Sequence, residues 1–511
     1  MTNVSERTPV IVGVGQAVNH WDGKDISEAP SPLSLAATAS RAAIKDTGAA
    51  TPFADQIDVV AFVRLNQESY AQAPAPFGKI NNMPRALATE IGATPRRAIL
   101  TPAGGQTPQS LVNEFAEAIF DSEAEIALLT GSEAIRAMKT ALRASLQLDW
   151  SGEVEGDLED RGFGTRMLND YEIANGMVQP ARAYALFENA WRNKQGLSRD
   201  QHRALIGELF APFSEVAAQN PYAQFREART PDYLATPSDG NFELVDPYLK
   251  WHVAQDSVNQ GATVILTSVA KARELGIPES KWVYLHGYSD AYDRLVTARR
   301  DFTRSNAMHA TVSEGLSTSG RTADQIDHFE IYSCFPCAVL FACDALGIDW
   351  RQHQLTQTGG LPFFGGPGNN YSMHGIAAMV EKLRAHPGDT GLVLANGGFL
   401  TKEAVGVYST SPQADWTPNR RKTAQAEVDR DAEMPVFETP TSGTVESFTA
   451  FYKKKEAYSG MITGLSNGQR FMARVGQEDM RTLQELVSGD PIGKPVTVEK
   501  TDKGNTFHLS S

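Results

Sequence analysis

"GGPGNNYSMHGIAAMVEKLRAHPGDTGLVLANGGF" (365–399) runs through a glycine-rich loop, a helix, a turn and a strand, and its echo earlier in the chain decides the fold. There "TPAGGQTPQSLVNEFAEAIF" (101–120) reads as the end of a strand, a glycine turn and a helix. An acidic turn and the strand "EIALLTGSEA" (125–134) follow in the same order. Element order and glycine positions match better than residue identity does, so the repeat predicts two similar α/β halves.

Outward from these two stretches the texture alternates in the same way. "PVIVGVGQAV" (9–18) is a β-branched run that reads as a buried strand. "SPLSLAATASRAAIKDTGA" (31–49) has helical apolar spacing, with Gly48 as its stop. "IDVVAFVRLN" (57–66) is a second strand. Thr107 is the expected N-cap of the helix after the glycine turn, with Pro108 in its first position. Strand–helix texture returns at "ATVILTSVAKARELGI" (262–277), "HFEIYSCFPCAVLFACDALGI" (328–348) and "TGLVLANGGFLTKEAVGVYST" (390–410).

Between the halves the chain turns acidic and then helical, as in "ARAYALFENAWRNKQG" (181–196) and "DQHRALIGELFAPFSEVAAQN" (200–220). A mostly helical insertion that covers something is expected there. After Thr410 a charged, Pro/Thr-rich run reads as a polar linker. The last seventy or so residues alternate polar and apolar between Gly and Asn turns, which suits a small β barrel or sandwich. The expected division is 1–150 for the first half, 151–250 for the insertion, 251–410 for the second half, 411–440 for the linker and 441–511 for the small β domain.

At 511 residues the chain exceeds what one core serves. A net charge of −14, with no Lys/Arg stripe, argues against a nucleic-acid partner. No apolar run approaches a membrane span and the N-terminus lacks a secretory pattern. Three cysteines within ten residues make no disulfide framework and suit a reducing cytoplasm. Cys334, Cys337 and Cys343 have no partner pair or His at zinc-ligand spacing, and the last two lie in an apolar helical run, so no metal is expected.

Two α/β halves, an inserted loop domain and a glycine platform before a helix together resemble the thiolase superfamily, from "TPVIVGVGQ" to "AVGVYST", roughly four-fifths of the chain. "DSVNQGATVILTSVAKARELGI" (256–277) is similar to the thiolase segment in which Asn-x-Gly-Ala precedes a strand and an Ala/Lys-rich helix. "NPYAQFREARTPDYLATPSDGNF" (220–242) and the trailing domain resemble thiolase-like proteins with an extra C-terminal domain, near the sterol-carrier-protein type of thiolase. The resemblance implies a five-layered fold of two αβα halves with a helical loop domain, and a fused small OB-like β domain. It implies acyl-CoA or CoA as the ligand, substrate rather than cofactor. It also implies a homodimer, unless the additional domain takes that surface.

The resemblance also locates four reactive loops, and the chain departs from the family at each. The nucleophilic Cys falls on Gly104, give or take one residue, and Gly104 and Gly105 carry no thiol. The loop that reads Asn-Glu-Ala-Phe or His-Asp-Cys-Phe in the family is "YSCF" here, so Cys334 and Phe335 match while Tyr332 replaces His. In place of Gly-His-Pro-x-Gly stands "GGPGNNYSMHG", with Gly366 at the His position and Tyr371 and His374 soon after. In place of the acid/base Cys-x-Gly stands Asn396 before Gly397 and Gly398.

The candidate catalytic residues are therefore Tyr332, Tyr371, His374 and Cys334, with Gly104, Gly105, Asn396 and Gly397 as pocket or oxyanion groups. Each has a plainer reading: packed aromatics for the tyrosines, a local hydrogen-bonding role for His374, and a hairpin turn for Asn396–Gly397. His374 is a candidate general base near neutral pH. Three functions fit. The first is an acyltransferase-type enzyme that makes or breaks a C–C bond beside a CoA thioester, as thiolases do. The second is a retro-aldolase on a β-hydroxyacyl-CoA, because thiolase-like steroid side-chain aldolases pair with an OB-fold partner and use Tyr in these loops. The third is a non-catalytic acyl-CoA or lipid-binding protein.

Overall fold

The structure, a computed structural model, describes residues 4–70 and 72–509. The first half contributes strands β1 (Pro9–Val18), β2 (Val59–Phe62), β3 (Arg97–Leu100), β4 (Ile126–Ala134) and β5 (Asn259–Ser268), the last of which pairs here although it falls in the stretch expected for the second half. The second contributes β6 (Val283–Tyr292), β7 (His328–Ile331), β8 (Thr390–Gly397) and β9 (Lys402–Ser409). They form one sheet in the order β7-β8-β9-β6-β1-β5-β4-β2-β3, extended by a short strand at Glu159–Asp160.

The order is a near-palindrome. β2 runs parallel to β4, β4 antiparallel to β5, and β5 antiparallel to β1; β7, β8, β9 and β6 repeat these senses. The two halves meet at a seam of two pairs, Val10↔Tyr284 and Ile11↔Val283.

Helices complete five layers. α1 (Pro32–Asp46) and α2 (Met83–Ile91) cover the outer face of the first half. The paired helices of the sequence echo, α3 (Thr107–Phe120) and, further along, residues Tyr371–Ala385, lie back to back between the halves. Leu111, Val112 and Phe115 from one and Ile376, Val380 and Leu383 from the other fill this middle layer against Ile11, Val264 and Val393. Burial of such side chains contributes about 1.5–3 kcal/mol each. The outer helices come close to the sheet in both halves. A Cβ on Gly15 would fall 2.2 Å from the Ala39 carbonyl, and one on Gly287 would fall 2.3 Å from the Gly315 carbonyl.

The insertion is built on α4 (Pro180–Lys194) and α5 (Arg199–Gln219), with two short strands at Glu243–Val245 and Tyr248–Leu249. Their side chains Tyr184, Phe187, Phe210 and Phe213 share one core with α6 (Asn306–Ser319) and α7 (Pro336–Leu346), which cover the second half. The central helix Tyr371–Ala385 is α8.

The expected polar linker is instead fastened down. Trp416 is buried beside Phe120 and Tyr288, and a helix, α9 (Thr423–Arg430), packs Ala424 and Val428 on α6. The Glu314 carboxylate accepts from the Thr423 and Ala424 amides and holds the start of that helix. A few apolar residues in a charged run were enough to dock it.

The last domain is a closed barrel of β10 (Ser442–Lys453), β11 (Glu456–Ser466), β12 (Gln469–Val475), β13 (Pro495–Thr501) and β14 (Gly504–Leu509). Its order is β10-β11-β12-β14-β13-β10, with β12 parallel to β14 and helix α10 (Met480–Ser488) between β12 and β13. This is the five-stranded Greek-key connection of an OB-like barrel. The insertion's short strands continue its sheet through Val245↔Phe451. Among the described residues no helix is long and apolar enough to cross a membrane.

Candidate functional site

The carboxyl ends of β3, β7 and β8 converge with the start of β9, where open α/β sheets place ligands. In the glycine turn after β3, Gly105 has no space for a side chain. A Cβ on Gly105 would fall 2.3 Å from the Tyr332 hydroxyl oxygen and 2.5 Å from the Asn396 carbonyl. On Gly104 and Gly397 it would fall 2.2 Å from the same atom, Oε1 of Gln106. Gln106, not Thr107, is the N-cap of α3; Thr107 is the first helical residue and no side chain caps the helix. The freed Gln106 carboxamide lies over the turn with its oxygen unpartnered. The turn's carbonyls are held elsewhere: Ser372 Oγ donates to Gly105 O at 2.6 Å and Lys402 Nζ to Ala103 O at 2.9 Å.

Asn396 and Glu403 are directly opposed across β8 and β9, so their side chains share a face of the sheet. Asn396 Nδ2 donates to the Tyr184 hydroxyl at 2.9 Å and approaches Cys334 Sγ at 3.6 Å, and its Oδ1 has no partner. Glu403 is 1 % exposed, and neither carboxylate oxygen is hydrogen-bonded. Burial pushes its pKa well above the carboxylate range; Arg299 opposes the shift and Asp293 adds to it. Glu403 lies near enough to raise Tyr184, Tyr332 and Cys334 in turn. A buried polar group left unpaired costs about 1–3 kcal/mol, and such groups call for an explanation.

The turn joining the two strands is strained. Leu400 sits at φ +59°, a left-handed conformation that costs a bulky residue roughly 1–3 kcal/mol. Its N–H donates to the Tyr184 hydroxyl at 3.0 Å, and its carbonyl accepts from the Arg299 guanidinium.

Tyr332 follows β7, buried, with its ring edge-on to Tyr371 at 5.3 Å. Burial raises its phenol, with Cys334 and Glu403 adding to the shift. Burial also pushes the Cys334 thiol up to about 12, far from a reactive thiolate.

Tyr371, the first residue of α8, is engaged elsewhere. Its hydroxyl donates to Glu330 Oε1 at 2.7 Å and lies 2.6 Å from Thr358 Oγ1. His374 is fully buried, with Nδ1 2.8 Å from Gln16 Oε1, and burial lowers its pKa to about 3. The expectation of a His374 base titrating near neutral pH therefore fails: the ring stays neutral, with Nε2 unpartnered.

The structure thus gathers Gly104, Gly105, Gly397, Asn396, Tyr332 and Cys334 around one point. Tyr371 touches them through the Tyr332 ring and His374 stands behind. Sequence reading missed Tyr184, Gln106, Arg299 and Glu403. The signal for Glu403 was a Lys-Glu pair at the head of an otherwise apolar strand, "TKEAVGVYST". Among the described residues no group of three or more His, Cys, Asp or Glu is placed to hold a metal.

Over 99% of its length the chain superposes on the crystal structure of a monomeric SCP2-thiolase-like protein type 1 from Mycobacterium smegmatis, all of which is covered, with 38% identity and a TM-score of 0.84. The chain belongs to the SCP2-thiolase-like type 1 family. Residues 424–503 match the thiolase-like protein type 1 additional C-terminal domain, so the barrel is this family's own appendage. Over about four-fifths of the chain the fold is also that of an Ltp2–ChsH2(DUF35) aldolase (18% identity, 79% of this chain and 98% of that one, TM-score 0.56). An acetyl-CoA acetyltransferase from Syntrophomonas wolfei shares it likewise (15% identity, 80% and 100%, TM-score 0.55). No curated protein matches the sequence.

Proposed function

We propose that this SCP2-thiolase-like chain acts on a coenzyme A thioester, breaking or making a carbon–carbon bond beside the thioester without an acyl-enzyme. The observation that carries this reading is Glu403, a carboxyl with both oxygens free, set opposite Asn396 and beside Tyr332 at the strand ends. Two facts weigh against covalent thiolysis. The glycine turn carries no nucleophile, and the Cys334 thiol is held at about 12.

An aldol cleavage needs no nucleophile. The hydroxyl of a β-hydroxyacyl thioester loses its proton and becomes a carbonyl as the Cα–Cβ bond breaks. The electron pair passes to Cα and the thioester oxygen, and Cα then takes up a proton. The net change is one proton moved from oxygen to carbon. A carboxyl with two free oxygens can take a proton on one and release it from the other. Tyr332 supplies a second donor, and amide N–H groups at the head of α3 meet the thioester oxygen.

The test is to incubate the protein with β-hydroxyacyl-CoA and β-ketoacyl-CoA esters and follow the products by mass spectrometry. An aldehyde or ketone with a shortened thioester, lost in Glu403→Gln and Tyr332→Phe, supports the reading. Thiolysis of the β-keto ester that is lost in Cys334→Ala overturns it. Binding without any product leaves a retired enzyme that only holds acyl-CoA.

A further inference from the structure

Arg470 on β12 is completely buried, and only one of its side chain's polar partners belongs to the barrel. Its guanidinium pairs with Glu446 on β10 and reaches across to three carbonyl groups of the turn after β6. It donates to Thr297 O at 3.0 Å and to Arg299 O, and lies 3.5 Å from Arg300 O. Phe302 lies under it at 4.1 Å. The insertion grips the same turn from the other side: Glu172, fully buried, accepts from the Thr297 amide at 2.8 Å and its hydroxyl at 2.9 Å. From this doubly held turn Arg299 reaches the Leu400 carbonyl, and Leu400 is the strained residue between Asn396 and Glu403.

We propose that Arg470 is a positioning residue of the site: by fixing the 297–300 turn it seats Arg299 on Leu400 and so holds the turn that carries Asn396 and Glu403. The additional domain is then a working part of the site rather than a passenger. The proposal deepens the proton-transfer reading and rests on it for Glu403's role, but the mechanical linkage is measurable without any reaction. A left-handed leucine persists only where its surroundings over-determine it. Here the ties are the Tyr184 hydroxyl on the Leu400 N–H, the turn's own Thr401 N–H to Gly397 O bond at 3.1 Å, and Arg299, which Arg470 keeps in place.

Hydrogen–deuterium exchange of the peptide spanning 396–403, in the full-length protein, tests this. Arg470→Met should speed exchange there about tenfold, and Arg299→Met at least as much. The double variant should add little, because both act through one linkage. Arg470→Lys, which keeps the charge but reaches fewer carbonyls, should fall between. Leu483→Ala, in the barrel core on α10, should lower the melting temperature and leave this peptide alone.

Unchanged exchange at 396–403 in Arg470→Met, or equal acceleration in Leu483→Ala, overturns the proposal. Should Arg470→Met not fold, Arg470→Lys against Leu483→Ala makes the same comparison. If a thioester is turned over, Arg470→Lys should lower kcat and leave KM unchanged. Faster exchange in a protein whose wild type turns over no thioester supports the linkage and removes the reaction.

Discussion

Two glutamates sit one element apart in the second half, equally buried and oppositely provided for. Glu330, on β7, accepts five hydrogen bonds, from the Gln357 and Thr358 amides and the hydroxyls of Tyr371, Thr356 and Thr358. Glu403, on β9, accepts none. Evolution of a stable sheet alone would leave no carboxyl in Glu403's position, because its burial is uncompensated. The satisfied carboxyl is an anchor that ties the 356–358 segment to α8. The unsatisfied one is the group to which the proposed function assigns the proton transfer. Glu133, at the end of β4, stands between them, with the Asn66 amide as its one donor at 2.6 Å.

The contrast can be broken most severely at Glu403. Replacing it with Gln should reduce turnover of a thioester substrate by roughly 10²- to 10⁴-fold, while the urea midpoint stays put or rises. A large loss of stability would mean that Glu403 is an anchor after all. Glu330→Gln should do the reverse: about 2–3 kcal/mol lost in urea unfolding, with the expressed protein still turning over.

Glu133 sharpens the series through pH. Its folded pKa is raised from 4.5 to about 8, chiefly by burial. Its contribution is therefore complete below the unfolded pKa and is lost as pH rises through about 8. Over that window the wild type should lose about 1.4 kcal/mol per pH unit from this group, and Glu133→Gln should flatten the slope in unfolding measured from pH 4.5 to 8. Tyr371→Phe removes one of Glu330's five donors and should cost about 1 kcal/mol, read in the same unfolding assay. Cys334→Ala should be the smallest change of all. With its pKa near 12, only about one thiol in ten thousand is ionised at pH 8, so iodoacetamide should leave Cys334 unmodified in the native protein.

The repeated loop–helix–strand order made the two halves legible, because glycines and helical periodicity survive where residue identities do not. The barrel was legible from its alternation and turns. Gly105, Tyr332 and Asn396 were found because they sit at or just beyond strand ends, where sequence order and spatial order agree. Tyr371 and His374 came from the same reasoning, yet their buried partners Glu330 and Gln16 lie 41 and 358 residues away in sequence. No spacing rule reports such a partner. Glu403 was hidden for the opposite reason: a carboxyl without partners looks, in sequence, like any charge at the start of a strand. The docked linker was misread because composition describes solvation, and Trp416, Ala424 and Val428 were too few to alter it.

The pairing of Val245 with Phe451 also sets a timetable. The insertion's strand leaves the ribosome about 200 residues before the barrel strand that completes it, a wait of roughly 10–40 s at ordinary rates of synthesis. Through that interval the buried faces of α4 and its neighbours, Tyr184 and Phe187 among them, lack the barrel residues Phe451, Met461 and Met472 that finally join their core. The nascent chain therefore carries an open apolar face until its last domain arrives, and chaperone occupancy during translation should peak over the insertion and fall when the barrel closes.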